Sequence, residues 1–132
     1  MVHDKFFGGY KRAGLYRQKN PDPEALKQMA FMRLVIVNVA LVYHLSPAMI
    51  VHGRRGRERI STARQIAGYL CHIGFGITLT RIGQAFNRDR SSISHSCKRI
   101  EEMRDNVHFD RSLQCLENSL AVLANTLVAD EH

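Results

Sequence analysis

Residues 79–103 contain two short runs of apolar residues with helical spacing, separated by a polar tripeptide. In each run the apolar side chains recur every three or four positions, which places them along one face of a helix. The pattern therefore predicts a helix-turn-helix unit at about 78–103. The apolar positions are Leu79, Ile82 and Phe86 in the first helix, and Ile93, Cys97, Ile100 and Met103 in the second.

The residues at the ends of these runs favour the same two helices. Thr78 is placed to cap the first helix, and Asn87 tolerates the left-handed backbone with which many helices end. Asp89 can accept hydrogen bonds from the free amides at the start of the second helix. Residues 87–89 thus predict a tight polar turn.

The second helix leaves a polar and cationic face outside its apolar stripe. A DNA-binding helix-turn-helix needs a buried back and a front of short polar and cationic groups that enters the major groove. Serine lets the backbone approach a phosphate or a base edge, and arginine can bind guanine with two hydrogen bonds. The alternative is an ordinary helical hairpin whose basic face is simply solvated. The face consists of Arg90, Ser91, Ser92, His95, Lys98 and Arg99.

A long helix is predicted upstream. Asp22 and Pro23 favour a helix start, because aspartate caps helices and proline fits the first turn. We expect this helix to run through Leu45, and Ser46-Pro47 to begin a short second helix. The apolar run 34–43 is too short to cross a bilayer. The dense apolar positions predicted to be buried are Leu26, Met29, Ala30, Leu34, Val37 and Leu41.

Residues 52–59 form a strongly basic segment with four arginines, two glycines and one glutamate. Such a loop can follow a phosphate chain, although a solvated charge run is the alternative. The next helix is predicted at about 62–73, with Arg64 and Gln65 in its first turn, where free amides favour phosphate. Gly74 and Gly76 predict its end. Its expected buried stripe is Ala63, Ile66, Ala67, Leu70 and Ile73.

The C-terminal segment carries large apolar residues at alternating spacings of four and three over about two and a half heptads. A coiled-coil dimer seam at 109–127 is one hypothesis. The other is an amphipathic helix that folds back on the domain and closes it, which so short a repeat favours. The positions are Phe109, Leu113, Leu116, Leu120, Leu123 and Leu127.

The charge is unevenly distributed along the 132 residues, which suffice for one domain with extensions. Residues 54–104 carry 11 basic and 4 acidic groups, whereas residues 105–132 carry 1 and 5. A basic central region predicts a polyanionic partner. The basic and aromatic residues 1–21 are expected to form a flexible arm that contacts DNA, docks on a protein partner or only solubilises the chain.

Neither a secretory signal nor a membrane anchor is visible in the sequence. The three cysteines give no disulfide framework and no zinc pattern, so we expect a cytoplasmic, nucleoid-associated protein without cofactor or metal. An enzyme is the least supported class, because no carboxylate pair and no nucleophile–base set is apparent.

Two blocks of the sequence resemble the DNA-binding domain IV of the bacterial replication initiator DnaA. That family has Arg-Gln-Ile-Ala-Met-Tyr-Leu, then Ile-Gly…Phe, a Gly-Gly-Arg-Asp-His-Thr-Thr-Val turn and His-Ala-Cys-Arg-Lys-Ile-Glu. The resemblance covers about residues 33–104 and implies an all-α, multi-helix domain with a DnaA-like (Trp-repressor-like) helix-turn-helix. The matching blocks are Arg64-Gln65-Ile66-Ala67-x-Tyr69-Leu70 and Ile82-Gly83-x-x-Phe86-x-Arg88-Asp89-x-Ser91-Ser92-Ile93-x-His95-x-Cys97-Lys98-Arg99-Ile100-Glu101.

The turn and the start of the second helix depart from that family. The turn is one residue shorter, with Asn87 where the family has Gly-Gly. The family's Asp-His-Thr-Thr is Asp89-Arg90-Ser91-Ser92 here. The two serines lack the methyl groups that could contact thymine, and Arg90 adds a guanidinium that can bind guanine with two hydrogen bonds. The fold is therefore expected to carry over, whereas the recognition sequence is not.

The resemblance also implies a set of DNA-contacting residues. The family's basic loop places an arginine in the minor groove, and the glycines in 52–59 leave three candidates for that position. The pair Arg64 and Gln65 would hold the DNA backbone. The full candidate set is Arg54, Arg55, Arg57, Arg64, Gln65, Thr78, Thr80, Arg88, Asp89, Arg90, Ser91, Ser92, His95, Lys98 and Arg99.

The expected organisation is an arm at 1–21, a helical DNA-binding domain at 22–104 and an amphipathic C-terminal helix at 105–132. No Gly-x4-Gly-Lys-Ser/Thr loop occurs, so the family's ATPase module is not expected here. A detached reader of double-stranded DNA predicts a transcription regulator of bacterial or phage-derived genes. The alternatives are a replication modulator that competes for DnaA boxes, and an adaptor that recruits RNA polymerase or another regulator through its N- and C-terminal helices.

Overall fold

The computed structural model describes residues 22–53 and 58–129, in which all regular structure is helical. The segment Leu70–Gly74 continues the third helix as a π-helical turn. The predicted all-α, multi-helix fold is therefore confirmed. The helices are α1 (Pro23–Tyr43), α2 (Pro47–His52), α3 (Glu58–Tyr69), α4 (Leu79–Phe86), α5 (Arg90–Met103) and α6 (Val107–Ala129).

Helices α4 and α5 form the predicted helix-turn-helix. The Thr78 hydroxyl accepts a hydrogen bond from the Arg81 amide at 3.2 Å, and Asn87 ends α4 in the left-handed region with φ 53°. The prediction for Asp89 is wrong in one respect. Its backbone is extended at the N-cap position, but its side chain makes no capping hydrogen bond.

The short turn depends on a glycine at position 83. The Arg88 amide donates to the Gly83 carbonyl at 2.8 Å and closes the turn against α4. A Cβ on Gly83 would lie 2.6 Å from the Arg88 carbonyl oxygen. The backbone of the turn therefore occupies the space that any larger residue would need.

Helix α1 ends at Tyr43, two residues before the predicted end. His44 adopts a left-handed conformation with φ 55°, and the Leu45 amide donates to the Ala40 carbonyl at 2.9 Å. The helix cannot continue because Ser46 precedes a proline and must be extended. The Ser46 hydroxyl then caps α2, accepting from the Met49 amide at 3.3 Å.

The predicted buried face of α1 is largely wrong. Of the six predicted positions Met29 is buried and Leu34 is half-buried, whereas Leu26, Val37 and Leu41 are 48%, 46% and 72% exposed. Helix α1 is apolar nearly all round, so its periodicity could not select a face. The buried residues are Ala25, Met29, Met32, Val35, Ile36, Val39 and Ala40.

The length of α1 also corrects the inference drawn from residues 34–43. The whole helix has 21 residues and a window with mean hydropathy 1.6, so by length and composition it could cross a membrane. Core helices of folded domains pass the same test. Seven α1 residues lie in the core with α3 and the π-helical turn, and 39% of the apolar window is buried within the domain.

Helix α3 begins at Glu58, four residues earlier than predicted, because part of the arginine-rich segment is helical. Glu58 lies in the first turn, where a carboxylate is favourable. Arg59 donates a hydrogen bond to the Tyr43 carbonyl and links α3 to the end of α1. The predicted stripe is buried except at its last position, since Ile73 lies in the π-helical turn and is 54% exposed.

Helix α6 packs alongside α1 in the opposite direction. Its N-terminal half meets Val42 and Tyr43, and its C-terminal half meets Lys27 and Phe31. Leu113 and Leu120 are 3% and 2% exposed. The apolar stripe at 109–127 thus serves as the closing element. The hypothesis of a dimer seam at 109–127 stays untested: Leu113 and Leu120 are buried within the domain, whereas Leu123 is 41% exposed.

Two predicted features lie outside the described residues. These are the arm at 1–21 and the candidate loop arginines Arg54, Arg55 and Arg57.

Replacing Gly83 with alanine should lower the free energy of unfolding by about 1–3 kcal/mol, because the Cβ meets backbone that cannot yield cheaply. Urea unfolding followed by circular dichroism measures the change. Gly74→Ala is the matched control, since a Cβ there has no neighbour within 4 Å. Equal stability of the two variants would show that the turn relaxes around the methyl group.

Candidate nucleic-acid interface

The front of α5 is exposed over its whole polar face. Its back is fixed by Ile93 and Ile100, which are 3% and 0% exposed, and Cys97 and Met103 pack half-buried against the same core. The prediction of a buried back and an exposed front is confirmed. The exposed side chains are Arg90, Ser91, Ser92, His95, Lys98 and Arg99.

The turn and the first residues of α5 surround a polar depression of about 530 Å³. It brings five of the predicted site residues together at the place where α5 begins. Asp89 is its one carboxylate among the described lining residues. The lining residues are Thr80, Gly83, Gln84, Asn87, Arg88, Asp89, Arg90 and Ser92.

A second depression of about 310 Å³ lies between α3 and α5 and shares Arg88 and Ser92 with the first. The described residues around it include three arginines and a histidine, and none carries a carboxylate. The two depressions form one continuous surface, which we call the cationic face. The second is lined by Ser61, Arg64, Gln65, Arg88, Ser92, Ile93, His95, Ser96 and Arg99.

Arg64 is 9% exposed and bonds to the backbone at the end of α2. Its Nε donates to the Ile50 carbonyl at 2.8 Å, and its Nη2 donates to the Gly53 carbonyl at 2.5 Å. Because α3 begins at Glu58, Arg64 is in the second turn, so its predicted place in the first turn is wrong. Its visible contacts satisfy helix carbonyls that would otherwise lack partners.

Gly53 is the point at which α2, α3 and the helix-turn-helix meet. Its carbonyl accepts from Arg64 and, at 3.4 Å, from Nη2 of Arg88. A Cβ on Gly53 would lie 2.1 Å from the Met49 carbonyl oxygen. Burial, and then the positive charge of Arg88, lower the pKa of Arg64. An anion bound here would relieve that repulsion.

Gln65 has an unsatisfied atom in the same depression. Its Nε2 lies 3.5 Å from the Ser61 hydroxyl, and its Oε1 is buried without a hydrogen-bond partner in the described part of the chain. Buried polar atoms are usually paired, so this one indicates that the amide is better placed the other way round, with Oε1 accepting from the Ser61 hydroxyl.

The remaining predicted residues are more peripheral. Thr78 is exposed, but its hydroxyl is engaged in the α4 cap. Lys98 is exposed on α5 and lines neither depression.

A polar network at the end of α5 was not predicted from the sequence. The Tyr69 hydroxyl donates to Glu101 Oε2 at 2.8 Å, and Arg104 Nη1 donates to the Tyr69 oxygen at 3.1 Å. Arg104 also pairs with Asp110 at 2.5 Å and with Glu117 at 2.9 Å. The network joins α5 to α3 and α6. No local spacing reveals it, because its members come from three helices.

This network also affects the pKa of Tyr69. Burial, and then the hydrogen bond to Glu101, raise the pKa of the Tyr69 phenol. Tyr69 therefore stays protonated and able to donate across the neutral pH range.

A buried helix back, a tight left-handed turn and a cationic face at the start of α5 define a helix-turn-helix domain of the DNA-binding class. The family described as "Bacterial dnaA protein helix-turn-helix" matches residues 32–100. The chain belongs to that family, so the resemblance inferred from the sequence is confirmed.

Individual relatives agree with this assignment. The chromosomal replication initiator protein DnaA of Synechococcus sp. is 34% identical over 76 residues, which are 56% of this chain and 16% of the relative. DnaA 1 of Chlamydia pneumoniae is 32% identical over 70% of this chain and 20% of its own length. DnaA of Microcystis aeruginosa is 33% identical over 80% of this chain and 23% of its own length. This chain thus spans less than a quarter of each of these relatives.

A solved structure gives the same result. A crystal structure of a DNA replication initiation factor superposes with a TM-score of 0.67 and 28% identity, over 74% of this chain and 30% of that one.

Arg64→Lys keeps the positive charge, but the single ammonium group of lysine cannot donate to the Ile50 and Gly53 carbonyls in the way that the planar guanidinium does. We expect the free energy of unfolding to fall by about 1–3 kcal/mol, because buried carbonyls lose their donors. Thermal and urea unfolding measure this loss. Arg99→Lys is the matched control, since Arg99 is exposed and no fall in stability is expected. An unchanged stability of Arg64→Lys would mean that the carbonyl contacts contribute little.

Proposed function

We propose that the chain binds double-stranded DNA with sequence preference, with the start of α5 in the major groove. The observation that carries the proposal is the cationic face, in which Arg64, Arg88 and Arg99 surround a depression without a described carboxylate. A phosphate chain is the ligand that such a surface favours. A cytoplasmic, nucleoid-associated location follows from that ligand.

The candidate residues in and around the start of α5 divide by position into residues that would read bases and residues that would contact phosphates. Arg90, Ser91, Ser92 and His95 occupy the first two turns, where a docked helix meets base edges. Arg88, Lys98 and Arg99 are placed at the margins and suit phosphate contacts. By the family resemblance, one of Arg54, Arg55 and Arg57 would enter the minor groove. Thr80 and Asp89 border the readers.

Gln65 suits a phosphate contact through a simple rotation of its amide. Turning the amide by 180° would let the Ser61 hydroxyl donate to Oε1 and would leave the NH2 group as a donor beside the depression that Gln65 lines. Arg64 beside it holds the Gly53 carbonyl at the end of α2. We assign Arg64 mainly to joining the end of α2 to α3, and Gln65 to holding the DNA backbone.

The biological role we propose is transcription regulation, which a protein that reads double-stranded DNA with sequence preference can perform by occupying a promoter. A replication modulator is the second candidate, because the relatives reported above are named chromosomal replication initiator proteins. Chromatin immunoprecipitation with sequencing separates them. Peaks at promoters support the regulator, peaks at the replication origin support the modulator, and absence of peaks would favour the adaptor hypothesis.

DNA affinity should depend strongly on salt, because binding releases counterions from each contacted phosphate. If about six phosphates are contacted, log K should fall with log salt at a slope of about −5. Fluorescence anisotropy titrations between low and physiological salt measure the slope. A slope shallower than about −2 would contradict a face that follows the DNA backbone.

Arg90→Ala should reduce affinity for the preferred site by about 10- to 100-fold and affinity for random DNA much less, because a base contact is lost. Arg99→Ala should weaken binding to both DNAs by similar factors and make the salt slope shallower by about one unit. The preferred site comes from selection on a randomised duplex.

Arg111→Ala is the matched control for both variants, since Arg111 is an exposed cation on α6 outside the cationic face. Selection with Arg90→His gives a second readout. Should wild type and Arg90→His select the same bases, Arg90 would be a phosphate contact and its assignment as a reader would be wrong.

A further inference from the structure

Helix α1 carries an apolar stripe that no described residue covers. Leu26, Val37 and Leu41 are 48%, 46% and 72% exposed, and Ala30 between them is exposed as well. We call these four positions the α1 stripe. With 100° between successive residues they fall within a sector of about 60°, so they form one continuous ridge about 22 Å long.

The ridge faces away from the closing helix. Phe31 and Val42 line the grooves against α6, and they lie about 120° round α1 from the centre of the stripe. The cationic face is formed by α3, α4, α5 and the turn between the last two, and no α1 residue lines it. A molecule bound to the α1 stripe would therefore disturb neither the packing of α6 on α1 nor the cationic face.

We propose that the α1 stripe binds the α1 stripe of a second copy of this chain, with the two helices antiparallel. The spacing of the four positions is 4, 7 and 4, which is the same from either end. An antiparallel pair centred between positions 33 and 34 sets Leu26 against Leu41 of the partner subunit. It also sets Ala30 against the partner's Val37, so that a small side chain meets a larger one.

The charges of α1 permit this pairing. Its charged residues are Glu24, Lys27 and Arg33, and none of them belongs to the stripe. Arg33 is half-buried at one edge of the ridge, near the centre of the pair. The two copies of Arg33 would lie on the same face of the helix pair and on either side of the two-fold axis, where solvent and salt screen their repulsion.

The size of the stripe predicts a weak dimer. A ridge about 22 Å long and about 10 Å wide covers roughly 220 Å² on each copy, or roughly 440 Å² in total, well below the roughly 1,200–2,000 Å² of stable interfaces. We expect a monomer at low micromolar concentration and a dimer as the concentration rises. Two-fold symmetry would present two α5 helices to an inverted repeat, which increases affinity through effective concentration.

Disulfide trapping without DNA tests the pairing and its direction. Cys115 is exposed, whereas burial raises the pKa values of the Cys71 and Cys97 thiols, so Cys115→Ser removes the reactive background. In that background an oxidised mixture of Leu26→Cys and Leu41→Cys should give a cross-linked dimer. Neither protein alone should form this cross-link, because in an antiparallel dimer the two identical cysteines would be about 22 Å apart. Cross-linking of either protein alone would overturn the antiparallel arrangement.

Sedimentation equilibrium gives an independent readout. Wild type should show a mass that rises with concentration, and Leu41→Glu should stay monomeric with unchanged helicity, because Leu41 is largely exposed. Val122→Glu is the matched control, since Val122 is 65% exposed on α6 and should dimerise like wild type. A wild type that remains a monomer up to about 0.5 mM would overturn the proposal, whatever else covers the stripe.

A lipid surface is the occupant that the length and hydropathy of α1 also suggest. Monomeric wild type that pellets with vesicles of phosphatidylcholine and phosphatidylglycerol, and loses this on Leu41→Glu, would assign the stripe to lipid and overturn the dimer. None of these measurements contains DNA, so their failure would leave the proposed function standing.

Discussion

The hydrogen bonds from the Arg64 guanidinium to the carbonyls at the end of α2 hold together the parts on which the cationic face depends. A nearly buried cation usually needs a carboxylate, but here the visible acceptors are backbone carbonyls of Ile50 and Gly53. Arg88 reaches the same Gly53 carbonyl from the helix-turn-helix, so two like charges converge at one point. Arg88 is only partly buried, so solvent screens the two charges, and the proposed polyanionic ligand would reduce their repulsion further.

The helix-turn-helix could be predicted from the sequence because its helices are amphipathic and its turn is polar. Ile82, Phe86 and Ile93 each mark one face, and that face is buried in the structure. The start of α3 could not be predicted because residues 52–59 are rich in arginine and glycine and show no helical spacing of apolar residues, and because Arg59 is held by the carbonyl of Tyr43, on another helix. The Arg104 network was missed because its partners come together only after the helices pack.

Helices α1 and α6 show the converse limit of pattern analysis. On α6 the apolar stripe is narrow, and its inner residues Leu113 and Leu120 are buried. On α1 apolar residues occur on every side, so the sequence cannot tell which of them reach the core. Because α1 is apolar on every side, Leu26, Val37 and Leu41 remain exposed. An amphipathic helix would have polar residues at such positions. The apolar residues of α1 thus serve two ends: seven of them form the core, and the exposed ones are those on which the proposed association depends.

Arg104 gives the end of α5 a mechanical connection to α6. Its guanidinium holds Asp110 and Glu117 on α6 together with the Tyr69 hydroxyl on α3, while its backbone caps α5. Helices connected in this way open to solvent as one cooperative unit rather than separately. Whatever restrains α5 at its N-terminal end should therefore slow amide hydrogen exchange on α6, on the opposite side of the network. The C-terminal helix would then report on events at a surface that it never touches.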